Sequence, residues 1–309
     1  MYLYLSNFND WAINRVPQTY SQLNQLRKIS AKYLFEEAKK SFQHYEIQER
    51  ESILYILFED LFSISKIDFL VNKELDWNEN QQNRLVGYLK RLNNFEPIQY
   101  ITGKTFFFNS YFEVNSFTLI PRPETEELVQ LILSENSLNT PQIIDIGTGS
   151  GCIAISLAKE LKSASVSALD ISAEALAVAQ RNAVTNKVSV SFIELDFLLQ
   201  RDSIKNTFDI IVSNPPYVLE SEIPEMRKNV LDHEPHLALF VEDNQALKYY
   251  DALLSFAKIN LKPNGYVYAE INEQKGLEML ALASAYGFTN AAVVKDMFNK
   301  DRIFKAQKQ

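Results

Sequence analysis

From Pro141 onward the chain alternates short apolar runs with longer amphipathic ones, and this alternation most narrows its fold. Apolar runs at 142–146, 165–170, 189–194, 208–213, 265–271, 290–295 and 302–306 predict strands. Helical spacing near 151–161, 172–185, 245–259 and 273–286 predicts the helices between them. Such an order implies βαβ units, a mostly parallel sheet and helices on both of its faces. The last two runs have no helix between them, and Asn299-Lys300-Asp301 supplies a turn, so they predict an antiparallel terminal hairpin.

The first hundred residues follow a different pattern. Between Ser21 and Phe42, Leu23, Leu26, Ile29, Tyr33, Leu34 and Ala38 recur at helical spacing, with charged residues between them. Ile53 to Phe58, followed by Leu61-Phe62, predicts a second and well-buried helix. Asp76 ahead of Glu79 predicts the cap of a third helix running to Arg91. Residues 96–123 are aromatic and β-branched around Asn109-Ser110, which predicts a β-hairpin. Pro121-Arg122-Pro123 ends it, and helical spacing resumes from Glu124 to Leu133. The expected organisation is a helical domain over 1–94 that binds or positions a substrate, a hairpin linker over 95–123, and an α/β domain over 124–309.

Charge and cysteine content narrow the function. The formal net charge is −8, carried mostly by the C-terminal part, so no broad basic footprint advertises a nucleic-acid partner. The single cysteine, Cys152, excludes an intramolecular disulfide and a multi-cysteine zinc site, and reads as a small packing residue. Met1 to Ser6 has neither a basic start nor a sustained apolar run, and no stretch reaches the ~20 apolar residues of a membrane span. The expectation is a cytoplasmic protein with no membrane partner.

Two motifs sit at predicted strand ends. Ile143-Ile144-Asp145-Ile146 runs into Gly147-Thr148-Gly149-Ser150-Gly151, a glycine spacing tighter than the dinucleotide fingerprint. Glycines there let backbone approach a ligand, and the following helix start favours an anion such as a carboxylate. Asp170 ends the second strand, where a carboxylate can accept both ribose hydroxyls. Asp196 follows the third strand, where an adenine amino group would be read, and Phe197 offers a ring to stack on it. Asp145 is placed to receive an ammonium group. Together these features point to S-adenosyl-L-methionine.

The second motif is Asn214-Pro215-Pro216-Tyr217, directly after the 208–213 strand. An amide nitrogen is a weak nucleophile because its lone pair is delocalised into the carbonyl. Two acceptors on its two N–H groups would align it with a methyl donor and stabilise the charge growing on nitrogen. The Asn214 side-chain oxygen and the Pro215 carbonyl can be those acceptors. Tandem prolines fix φ and offer no competing N–H, and Tyr217 can present an aromatic face to a planar amide. Ligands in open α/β sheets bind outside the carboxyl ends of the strands, so both motifs should open onto one crevice. The chemistry is N-methylation of a planar amide or amine, with catalytic roles for Asn214, Pro215 and Tyr217 and substrate contacts from Asn214 to Tyr217. No metal is implied.

With these motifs placed, the chain resembles the HemK/PrmC family of protein-(glutamine-N5) methyltransferases over nearly all of residues 20–309. The resemblance extends to Glu96-Pro97-Ile98-Gln99-Tyr100-Ile101-Thr102-Gly103 and to Ile120-Pro121-Arg122-Pro123-Glu124-Thr125-Glu126. It also covers His233-Glu234-Pro235 with Ala238-Leu239, and Asp301-Arg302. Phe197 stands where some relatives have Trp. The resemblance implies a class I S-adenosylmethionine-dependent methyltransferase fold with a seven-stranded, mostly parallel sheet. It implies that Gly147 to Gly151 line the cofactor, that Asp170 takes its ribose, and that Asn214 to Tyr217 hold a glutamine. The implied substrates are peptide chain release factors, methylated on the glutamine of their Gly-Gly-Gln motif. A ribosomal-protein glutamine or a nucleic-acid base is the alternative, and a base would leave the Pro-Arg-Pro segment unexplained.

Overall fold

The computed structural model describes residues 27–41 and 45–309. Residues 21–26 and Phe42 of the first expected helix, and the reading of Met1 to Ser6, lie outside them. The chain divides into a unit ending at Thr102 and a unit spanning Gly103–Gln309.

In the first unit, β1 (Arg27–Ser30) pairs antiparallel with β2 (Glu74–Trp77), and α1 (Ala31–Lys40) starts directly after β1. The helix therefore begins at Ala31 and not at Ser21. Ser30 is extended, and its hydroxyl accepts from the Tyr33 amide at 3.2 Å, satisfying one of the free donors of the first turn. Asp76 is not a cap: it lies in β2 and pairs with Lys28 at 2.6 Å. The cap of the third expected helix is Asn78, whose side chain and that of Gln81 bond reciprocally to each other's backbone amides. That helix is α4 (Glu79–Asn93); α2 (Ile47–Phe62) and the short α3 (Lys66–Leu70) precede it, and α5 (Ile98–Thr102) closes the unit. Phe35, Tyr55, Phe58 and Phe69 meet edge-to-face or tilted at the centre of its core.

The second unit opens on a hairpin of β3 (Lys104–Phe107) and β4 (Ser110–Glu113). Its turn is Phe108-Asn109, one residue earlier than the sequence pattern places it, and both turn residues have positive φ, as primed turns require. Glu126 accepts from the Phe108 amide at 3.2 Å. The hairpin is integral to this unit rather than a free linker. Asn182, buried, exchanges hydrogen bonds with both backbone groups of Glu113 and donates to the Ser150 carbonyl at 2.9 Å.

Two short strands, β9 (Val218–Leu219) and β10 (Phe240–Val241), pair with each other, with the one-turn helix α10 (Lys228–Leu231) between them in the chain. The central sheet has seven strands, β5 (Gln142–Ile146), β6 (Ser165–Asp170), β7 (Ser191–Glu194), β8 (Phe208–Ser213), β11 (Leu261–Glu270), β12 (Thr289–Lys295) and β13 (Asp301–Gln307). Their order across the sheet is β12-β13-β11-β8-β5-β6-β7. All run parallel except β13, which is antiparallel to both neighbours, so the expected terminal hairpin is present. The side-chain period of two divides each central strand between two cores. Ile143, Ile210, Val212 and Tyr268 face Leu128, Ile132, Ile155 and Ala183, from α6 (Pro123–Glu135), α7 (Cys152–Glu160) and α8 (Ala173–Asn186). Ile144, Ile211, Val267 and Ala269 face Leu253, Leu254 and Met279, from α11 (Lys248–Asn260) and α12 (Gly276–Tyr286). Helices thus cover both faces, and the near-continuous apolar runs of β5 and β8 follow from burial on two sides. Among the described residues no helix is long and apolar enough to cross a membrane.

Candidate functional site

Sheet register assembles the site. In β5 and β8 Ile146 pairs with Ser213, and in β5 and β6 Ile146 pairs with Leu169. The next residues along each strand are Gly147, Asn214 and Asp170, which therefore emerge side by side at the carboxyl edge. Strand order reverses between β5 and β8, the topological switch point where such sheets bind ligands. There a cavity of about 560 Å³ opens, within the range of small-molecule sites.

Most of the residues expected at the site line this cavity. From the glycine turn come Gly147, Thr148, Gly149 and Ser150; from the next two strand ends come Asp170, Asp196 and Phe197; from the fourth come Asn214, Pro215 and Pro216. Asp170 accepts from the amides of Gly149 (2.8 Å) and Ser172 (3.0 Å), which clamps the turn while leaving lone pairs on both oxygens. Burial pushes its carboxyl above the ordinary value. Asp196 caps a short helix, α9 (Phe197–Gln200), by accepting from the Leu199 amide at 3.2 Å. The Phe197 ring is held edge-on to Phe256, with centroids 5.4 Å apart.

Three expected residues stand outside the lining. Gly151 is a packing residue: a Cβ there would sit 2.8 Å from the Ile155 side chain and 3.1 Å from Ala179. Tyr217 does not offer its face to the cavity. Its hydroxyl donates to Glu270 at 2.8 Å, and the ring packs with the α11 side of the core. Asp145 is fully buried and accepts from the Thr148 hydroxyl at 2.6 Å. Burial raises its carboxyl to about 7. Neighbouring Cys152 is pushed by burial to about 12, which keeps the thiol protonated and fits a packing role.

Several residues that hold the site have partners that only the fold reveals. Asn214 donates from its side-chain nitrogen to the Thr125 hydroxyl at 3.3 Å, and Thr125 donates to Glu270 at 2.7 Å. Glu270 is buried, and burial raises its carboxyl above the ordinary range. Asn272 donates to the Tyr217 carbonyl at 3.2 Å, fixing the backbone after the tandem prolines. On the cavity rim, buried Glu234 accepts from Arg122 (2.6 Å) and from the Ile120 amide (3.1 Å). That pair joins the two segments, 120–126 and 233–239, that the sequence marks as distinctive.

These residues fit S-adenosylmethionine. Gly147 and Gly149 have φ of 74° and 55°, and a Cβ on either would meet open space, so the turn is shaped for a close ligand. The Asp170 and Asp196 carboxylates in the cavity wall suit hydroxyl and amino donors.

Comparison with known proteins agrees. The family model of the Methyltransferase small domain matches residues 124–236, and that of the PrmC N-terminal domain matches residues 34–103. A release factor glutamine methyltransferase of Flavobacterium psychrophilum is 48% identical over 265 residues, covering 84% of this chain and 93% of that relative. Those of Bacteroides thetaiotaomicron and Lactococcus lactis subsp. lactis are 42% and 41% identical, covering 85% and 82% of this chain and 95% and 93% of those relatives. At this extent of identity and coverage, the chain belongs to the release factor glutamine methyltransferase family.

Proposed function

We propose that the chain methylates the side-chain amide nitrogen, N5, of the glutamine in the Gly-Gly-Gln motif of peptide chain release factors, and so modulates translation termination. S-adenosylmethionine, when bound, supplies an electrophilic sulfonium methyl. Asp170 binds the ribose hydroxyls, Asp196 the adenine amino group, and Phe197 the adenine face. The Asn214 oxygen and the Pro215 carbonyl accept the two N–H groups of the glutamine amide, which turns its nitrogen lone pair toward the methyl donor. The same acceptors stabilise the positive charge that develops on nitrogen. No general base is needed before transfer, because the nitrogen becomes acidic once alkylated.

One observation carries this reading. Asn214 spends its amide nitrogen on Thr125, while its oxygen bonds to no other described residue, in the wall of a cavity that Gly149 and Asp170 also line. That is an acceptor held ready for an external donor. The net charge of −8 favours a protein over a nucleic-acid substrate. Residues 1–94 and the segment 95–123 would grip the body of the release factor, since a small Gly-Gly-Gln loop offers little binding energy of its own. Such a substrate places the chain in the cytoplasm.

The test is incubation with methyl-labelled S-adenosylmethionine and, separately, intact release factor, ribosomal protein and nucleic acid. Label on release factor, lost when its motif glutamine is replaced by alanine, is the expected result. Label on the other substrates alone contradicts the proposal.

A further inference from the structure

Thr125 and Glu270 are polar, buried and unused by the chemistry above. Thr125 lies in the first turn of α6, inside the Pro-Arg-Pro-Glu-Thr-Glu segment, and Glu270 ends β11. Glu270 accepts from both hydroxyls that reach it, Tyr217 at Oε1 (2.8 Å) and Thr125 at Oε2 (2.7 Å). A threonine hydroxyl has one proton. Once that proton points at Glu270, Thr125 can only accept from Asn214, 3.3 Å away. The carboxamide of Asn214 must then turn its nitrogen to Thr125 and its oxygen away from it.

We infer that Thr125 and Glu270 are positioning residues forming a one-way hydrogen-bond relay, which fixes the flip of the Asn214 amide so that its oxygen faces the substrate. A flipped Asn214 would offer N–H groups to a substrate that needs acceptors, so the relay decides whether the site can work at all. Tyr217 takes part by occupying the other Glu270 oxygen, which leaves Thr125 a single carboxylate partner. The backbone holds Glu270 in place: Tyr250 donates to its carbonyl at 3.1 Å, and the residue pairs with Ile303 across the sheet. The catalytic use of the relay rests on the acceptor role proposed for Asn214.

The test separates relay from reaction. Thr125→Val keeps the shape and removes the relay, and turnover on release factor is expected to fall about tenfold or more, with cofactor affinity within about threefold. Thr125→Ser restores turnover to within about threefold, because the hydroxyl returns. In an Asn214→Ala background, Thr125→Val should cost nothing further, since it acts only through Asn214. Equal losses in both backgrounds would mean a merely structural role and overturn the inference.

Asn214 side-chain amide resonances, identified by their disappearance in Asn214→Ala, read the relay with no substrate present. They should move in Thr125→Val and in Glu270→Gln, and stay in place in Thr125→Ser. Unmoved resonances in Thr125→Val overturn the relay whatever the substrate proves to be. Moved resonances with unchanged turnover overturn its use in the reaction, and tell against the acceptor role of Asn214 rather than against the geometry.

Discussion

The Ser213 hydroxyl donates to the Ile146 carbonyl at 2.7 Å, across a register in which these two residues already face each other. This bond ties the last residue of β5, before the glycine turn, to the last residue before Asn214. The spacing between the glycine turn and Asn214 is therefore set by a parallel strand pair and not by loop conformation. Ser213→Ala should lower stability by about 1 kcal/mol, the usual worth of one hydrogen bond, measured from denaturant midpoints. A larger fall in turnover than in cofactor affinity is expected, because the bond aligns two loops that each keep their own ligand contacts.

Asp170→Ala should weaken S-adenosylmethionine binding at least about tenfold, since hydrogen bonds to a charged partner contribute roughly 1.5–3 kcal/mol. The variant also frees the Gly149 amide from its clamp. Titration calorimetry checks this, and unchanged affinity in a folded variant would remove Asp170 from the cofactor site.

Gly149 and Gly151 should respond differently to alanine. Both have positive φ, so each substitution carries about 1–2 kcal/mol of backbone strain. At Gly149 the new methyl meets open space beside the cavity, and the expected further loss is in cofactor affinity. At Gly151 it meets Ile155 and Ala179, and the expected further loss is in stability. Thermal unfolding and calorimetry on both variants separate the two; the reverse pattern contradicts the assignment.

These contrasts show what the sequence reveals and what it hides. Strands β6 and β8 are legible to the residue, because each is a buried run ended by a polar residue at the sheet edge. The glycine turn, Asp170 and Asn214 are legible because their chemistry follows strand ends directly. Asp76 competes locally with Asn78 as a cap, and only the β1–β2 pairing decides between them. The partners of Asn214 are invisible for a physical reason. Thr125 lies 89 residues from Asn214 and 145 from Glu270, so only the folded sheet brings them together. Tyr217 belongs to the same network, which is why its ring is turned from the amide face that the motif alone suggests.

Asp145 predicts a pH dependence. Burial raises its carboxyl from 3.8 to about 7, so between those values the folded chain keeps a proton that the unfolded chain has released. Its effect on stability is absent below the lower value, and stability falls as pH rises toward the upper one. Asp145→Asn should flatten this slope and stabilise the ligand-free protein at neutral pH by up to about 4 kcal/mol. Denaturant unfolding across that window tests the sign; a wild-type slope retained in the variant would assign it to another group.

The acceptor role of Asn214 is tested most directly by single-turnover methylation of intact release factor with Asn214→Ala, with cofactor affinity measured on the same preparation. The rate is expected to fall by about a hundredfold or more, comparable to losing one preorganised electrostatic contact, while cofactor affinity stays within a few fold. A near-normal rate in a variant that binds cofactor normally would contradict the two-acceptor site.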